Sequence, residues 1–246
     1  MNKMIEDAPR INSFAPPVFI VGMNGSGTTM LADSLGKHPD LYMFPNEAKV
    51  LPFFMHNLNR YGDLSTIGAR RRLADDIGRT KSFWQVNGKT PLVLADFQLD
   101  KPGFRGVIHA IFNELASRED KQRWGEKSPM NLQHITALAK VFPNAQFIHI
   151  IRDGREVAQS FHRRWRYYPQ RTIYRWKKLV AMGREHGHRL GSERYLEVFY
   201  EKLTENPENE MRRGSAISLI YLLWTKSQNR LCAWWMPTKF LVLTNA

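Results

Sequence analysis

The stretch "VFIVGMNGSGTTML", residues 18–31, decides the fold. Its first five residues form a continuous apolar run ending at Gly22, the pattern of a strand buried on both faces of a parallel sheet. From Thr28 to Lys37, "TTMLADSLGK" follows a helical period and sets Met30, Leu31, Ser34 and Leu35 on one face. A glycine-rich turn lies between them. Strand, turn and helix in this order make an anion site, because successive N–H groups of the turn converge and the helix adds the positive end of its dipole. Gly22, Gly25 and Gly27 allow the tight turn and the close approach of an oxyanion. Asn24 lies in the turn, and Ser26, Thr28 and Thr29 carry hydroxyls that can donate to the anion. A nucleotide-hydrolysing loop would read G-x-x-x-x-G-K-[ST], and here Thr28 stands in place of the lysine. The plain alternative is a glycine-rich connection that binds nothing.

A second buried strand is expected in "AQFIHIIRD", with a helix following in "GREVAQSFHRRW". This puts Arg152 at the carboxyl end of a strand and Ser160 eight residues later on the helix. Ligands of open parallel sheets sit outside the carboxyl ends of the strands, so this pair faces the same crevice as the first loop. An arginine fork with a hydroxyl is a receptor for a second, separate phosphate. The alternative is a surface arginine paired with Asp153.

A third strand is expected in "RYLEVFY", residues 194–200. "GVIHAIFNELASRE" spaces Val107, Ile108, Ile111, Phe112 and Leu115 as an amphipathic helix, and "NLQHITALAKVFP" gives another, stopped by Pro143. Residues 60–90 are mixed and basic, and are expected to be helical and peripheral. "HPDLYMFP" is expected to carry the chain across the top of the sheet. Strands alternating with helices indicate an α/β fold around a parallel sheet. Pro16 and Pro17 end an irregular leader, residues 1–17, and one domain follows over residues 18–213. Residues 214–246 contain no acidic residue, three tryptophans and the sole cysteine. They are expected to be an atypical, truncated or altered segment rather than a membrane-touching or partner-binding tail.

A chain of 246 residues accommodates one domain with a substantial core. With 43% hydrophobic and 24% charged residues it has the composition of a folded protein, which excludes disorder. A net charge of +13 points to anionic partners: nucleic acid, an acidic membrane surface or a small polyphosphate-like ligand. Cys232 alone excludes an intrachain disulfide and a cysteine metal cage. The histidines lack metal-ligand spacing, so no metal is expected, and His38 is assigned to the end of a helix. The first residues show no apolar run of a secretory signal, and no segment has the ~18–20 apolar residues of a spanning helix. A cytoplasmic protein is the expectation.

Together, "PVFIVGMNGSGTTML" and "QFIHIIRDGREVAQSF" resemble the sulfotransferase family that uses 3'-phosphoadenosine 5'-phosphosulfate (PAPS). "HPDLYMFPNEAKVLPFF", "GEKSPMNLQHI" and "RYLEVFYEKLTENPE" extend the likeness from about Val18 to about Glu210. The resemblance implies a three-layer, P-loop-like α/β fold with a central parallel sheet flanked by helices. It also implies PAPS as co-substrate without a metal. Asn24, Gly25, Ser26, Gly27, Thr28 and Thr29 would hold the 5'-phosphosulfate, Arg152 and Ser160 the 3'-phosphate, and Tyr200 the adenine side. Such a donor has no γ-phosphate and no Mg²⁺ bridge, which leaves a loop lysine without a task.

One position departs from the family. Its loops commonly read R-S-G-T-T or K-S-G-T-T, and Gly25 stands at the basic position. Either another cation supplies the missing charge, with Lys127 and Lys49 the candidates and a plain solvated lysine the alternative for each, or the protein holds the donor without efficient transfer. Glu47, in "FPNEAK", occupies the place where relatives acting on glycans or tyrosines carry a base, and would take the acceptor proton. Its alternative is a surface carboxylate balancing Lys49. The acceptor stays open among glycan, peptide, lipid and small molecule, nucleic acid is not expected, and a homo-oligomer is compatible. The basic, aromatic run at 162–178 fits an anionic acceptor or a plain exposed helix face. A kinase or hydrolase with a degenerate loop and a non-catalytic polyanion-binding module are the competing readings.

Overall fold

A computed structural model describes residues 15–212. The leader up to residue 14 and the segment 214–246 therefore lie outside the described residues. Five parallel strands run in the order β2-β3-β1-β4-β5, with β1 at Val18–Gly22, β2 at Leu41–Met43, β3 at Arg123–Lys127, β4 at Gln146–Ile151 and β5 at Tyr195–Phe199. β1 pairs in parallel with both β3 and β4, so the carboxyl ends of these three strands lie side by side. The helices are α1 (Thr28–Leu35), α2 (Leu51–His56), α3 (Ile67–Gly78), α4 (Lys81–Val86), α5 (Gly103–Ser117), α6 (Ile135–Val141), α7 (Gly154–Trp165), α8 (Pro169–His188), α9 (Tyr200–Glu205) and α10 (Pro207–Arg212).

Alternation along β1 builds two cores. Phe19 and Val21 enter a large cluster with Trp124, Phe147 and the apolar face of α5, while Val18 and Ile20 meet Leu31, Leu35 and Ile150 on the other side. Val18 to Val21 are fully buried. Each such side chain contributes about 1.5–3 kcal/mol relative to exposure, which is why the run is a central strand.

Four expectations are corrected, and one strand, β3, is added that the sequence reading did not assign. The first helix buries Thr28, Leu31, Ala32 and Leu35, and Met30 and Ser34 stand at its margin. "HPDLYMFP" does not cross the sheet; Leu41–Met43 is an edge strand paired with β3. β3, "RWGEK", is buried throughout although three of its residues carry charge. Residues 60–90 are helical but not peripheral, since Leu73, Ala74, Ile77 and Phe83 belong to the larger core. The segment before α6 opens as a tighter 3₁₀ turn over Pro129–His134.

α7 and α8 form a hairpin that rises beyond the carboxyl edge of the sheet. Trp176 Nε1 donates to the carbonyl of Arg152 at 3.0 Å, and its ring lies against Gly154, which leaves no room for a side chain there. α8 therefore passes the sheet edge at Trp176. Its second half descends along the sheet, where Gly183 meets His149 and Gly187 meets the Tyr195 ring. Its first turns, and α7 beside them, stand above that edge. Among the described residues no helix is long and apolar enough to cross a membrane.

Candidate functional site

The loop after β1 turns through the bond from Ser26 N–H to the Met23 carbonyl at 3.1 Å, and Gly27 caps α1. Gly25 and Gly27 have φ of 86° and 95°, a region that glycine occupies without strain. No side chain caps α1, so the N–H groups of its first turn are left for a ligand. Ser26 and Thr28 are buried in the turn, Asn24 is half-buried and Thr29 is exposed.

Arg152 follows β4 and closes on this loop. Its Nη1 donates to the Gly25 carbonyl at 3.2 Å, and its guanidinium lies 4.4 Å from the centre of the Tyr200 ring. Nη2 pairs with Glu156 Oε2 at 3.2 Å, and Nε is buried with no hydrogen-bond partner. Asp153 does not pair with Arg152. It caps α7 by accepting from Arg155 N–H at 2.7 Å, and the Arg155 side chain beside it holds its carboxyl down at about 2. The Asp153 N–H donates to Glu201 Oε1 at 2.9 Å, which ties the end of β4 to α9.

Ser160 is buried, on the side of α7 that faces the loop. A Cβ built on Gly25 would stand 3.4 Å from its Oγ and 3.7 Å from the Phe161 ring. Tyr200 covers the other end of the loop, where a Cβ on Gly27 would come within 2.5 Å of its ring. The loop, Arg152, Ser160 and Tyr200 thus come together at one crevice on the carboxyl edge.

Glu47 and Lys127 meet beside them at the end of β3. Lys127 Nζ lies 3.9 Å from Glu47 Oε1, and Lys49 Nζ lies 3.0 Å from Glu47 Oε2. Lys127 is buried and Lys49 is largely exposed. The Glu47 segment is tethered at three consecutive residues. Ser82 Oγ donates to the Glu47 carbonyl at 2.9 Å, Ala48 N–H to Glu126 Oε1 at 3.2 Å, and Lys49 N–H to Ser128 Oγ at 3.3 Å.

The hub of this tether, Glu126, was not singled out from sequence. It is wholly buried and also accepts from Ser128 Oγ and, at 2.8 Å, from Asn131 Nδ2. Burial pushes its carboxyl up to about 7, against the pull of Ser128, Ala48 and Lys127. A charged pair inside an otherwise buried strand was the signal that could have found it. His38 ends α1 by accepting from Asp40 N–H at 3.0 Å. His109 and His149 are core groups whose burial holds them well below the usual imidazole range. Among the described residues no group of three or more His, Cys, Asp or Glu could hold a metal ion.

A model of the sulfotransferase family matches residues 16–213. The chain belongs to the sulfotransferase family. Protein-tyrosine sulfotransferase of Drosophila melanogaster is 25% identical over 223 residues, covering 85% of this chain and 40% of its own. Protein-tyrosine sulfotransferase 1 of Danio rerio is 28% identical over 151 residues, 61% of this chain and 36% of its own. The chain thus spans about half or less of the curated relatives it matches. Among solved structures, the sulfotransferase domain of the Synechococcus PCC 7002 olefin synthase superposes with a TM-score of 0.51 at 26% identity, over 83% of this chain and 73% of that one. The sulfotransferase domain from the curacin biosynthetic pathway shares the fold, with a TM-score of 0.50 at 22% identity over 82% and 73%. The α/β, P-loop-like sulfotransferase fold expected from the sequence is the one observed.

Proposed function

We propose that this sulfotransferase-family chain moves the sulfuryl group of PAPS to a hydroxyl (or amine) acceptor. The observation that carries the reading is the joining of two anion receptors: Arg152, with a buried Nε that has no partner, bonds to the backbone of the loop that Ser160 also faces. A donor with phosphate groups at both ends of a nucleoside is the ligand such a crevice fits. The residues from Asn24 to Thr29 take the phosphosulfate end through N–H and hydroxyl donors, Arg152 and Ser160 take the 3'-phosphate, and Tyr200 flanks the adenine.

When bound, the donor supplies the sulfuryl group. Its bridging S–O bond breaks as the acceptor oxygen bonds to sulfur, leaving adenosine 3',5'-bisphosphate. Glu47 takes the acceptor proton. Lys127, buried beside Glu47, supplies the positive charge that Gly25 cannot, offsetting the charge that builds on the leaving oxygen. The names of the relatives make a tyrosine hydroxyl in a peptide the first acceptor to try.

Calorimetric titration with adenosine 3',5'-bisphosphate in the absence of Mg²⁺ tests the donor half, and transfer from labelled PAPS to a tyrosyl-peptide, glycan, phenol and lipid panel tests the chemistry. Saturable bisphosphate binding with transfer to one acceptor class is expected. Thermal stabilisation by Mg-ATP with none by the bisphosphate would overturn the reading.

A further inference from the structure

We propose that the tip of the α7–α8 hairpin is a docking surface for a bilayer carrying anionic lipid. The tip comprises the last turn of α7, the connection at 166–168 and the first turns of α8. Trp165, Tyr167, Tyr168, Ile173 and Tyr174 are all exposed there, with Tyr168 at 69% and Tyr174 at 61%. These five are half of the large hydrophobic side chains exposed among the described residues. Interleaved with them, residues 162–178 carry seven lysines and arginines and no acid. None of the seven forms an ion pair with a carboxylate among the described residues. Some lie on the tyrosines instead: Arg171 is 5.8 Å from the Tyr168 ring centre and Lys178 is 4.5 Å from that of Tyr174.

Amphipathic rings flanked by cations are the composition that settles at the headgroup level of an anionic membrane, rings towards the acyl boundary and charges on the phosphates. Shape selects the bilayer over a soluble polyanion. Two helix ends joined by a short turn make a convex knob, suited to a broad flat surface, whereas an extended acidic chain is held along a groove. The tip adjoins the donor crevice through Phe161, whose ring faces Gly25 and also packs on Trp165 at 4.7 Å and Tyr167 at 6.0 Å between ring centres. Vesicle binding is read without donor or acceptor, so its outcome is distinct from that of the transfer assay. Docking by this tip would turn the carboxyl edge of the sheet towards the lipid surface.

The test is co-sedimentation of the full chain with phosphatidylcholine vesicles, with and without phosphatidylserine, at low and raised salt. Two triple variants accompany it, one removing rings (Trp165→Ser, Tyr168→Ser, Tyr174→Ser) and one removing charge (Arg163→Gln, Arg164→Gln, Arg171→Gln). Circular dichroism and the thermal midpoint establish that both are folded. Binding only to the phosphatidylserine vesicles is expected, weakening with salt. Each variant should lower the partition coefficient by about tenfold or more. Equal binding to both vesicle types, or unchanged binding by both variants, would overturn the proposal. Loss in the charge variant with full retention in the ring variant would also overturn it, and would assign the tip to a soluble polyanion such as heparin.

Discussion

The backbone N–H of Ala48 donates to Glu126 Oε1 across 3.2 Å, so the segment carrying Glu47 hangs from a wholly buried carboxyl group. Burial raises the Glu126 pKa from 4.5 to about 7. The folded chain then holds a proton that the unfolded chain has released, and stability falls as pH rises from about 4.5 to about 7. The loss is complete above that window and amounts to about 3 kcal/mol. Glu126→Gln does not titrate, so its unfolding free energy should hold level between about pH 4.5 and 7.5 relative to the parent. Parallel pH profiles for the two chains would refute the assignment. Measured by denaturant unfolding, the difference between them is the signal.

Arg152 has two demands on one fork. Arg152→Ala should weaken adenosine 3',5'-bisphosphate binding by about 10–100-fold, the loss expected for a charge-assisted pair. Lys178→Ala, on the outer face of α8, should change it less than about twofold. Glu156 pairs with Nη2, so Glu156→Gln should tighten the bisphosphate several-fold by removing a competing carboxylate. Calorimetry reads all three, and equal losses for Arg152→Ala and Lys178→Ala would place the 3'-phosphate elsewhere.

Gly27 and Gly62 both have positive φ, 95° and 75°. Only Gly27 has a neighbour, the Tyr200 ring, in the space a methyl group would fill. Gly62→Ala should therefore cost about 1 kcal/mol from backbone strain alone, and Gly27→Ala about 2–4 kcal/mol. Thermal unfolding of the two variants gives the difference, and equal costs would mean that Tyr200 is not seated on the loop.

Glu47→Gln and Lys127→Met should each lower kcat by about 10²–10⁴-fold while leaving the affinity for the bisphosphate within a few-fold. Lys49→Ala, which removes an exposed cation, should cost less than about tenfold. Single-turnover transfer from labelled PAPS separates these outcomes. A Lys49→Ala loss equal to that of Lys127→Met would exchange their roles.

The strands β1 and β4 were legible because each carries an apolar core run, β5 from the β-forming residues around Glu197, and α5 because its period is unbroken. β3 was not, since Arg123, Glu126 and Lys127 look like surface residues until their partners are known. Arg123 donates to the Pro16 carbonyl and to Gln146 Oε1, and Glu126 accepts from three donors, all of them outside β3. β2 is too short to show a period. The core role of α3 was hidden by "ARRRLADD": Arg70 is buried with its fork on the carbonyls of Leu64, Ser65 and Leu99, and so counts as core rather than surface. For the candidate site, loop and Arg152 were readable as motifs, whereas the tether through Ser82, Ala48 and Glu126 depends on contacts far apart along the chain.

The contact between Gly27 and Tyr200 joins the first crossover to the last strand–helix step among the described residues. During synthesis the loop leaves the ribosome well before Tyr200, which follows it by more than 170 residues. On the proposed reading, a nascent polypeptide would not hold the nucleotide fully until β5 has docked, and capture of the bisphosphate would report that step.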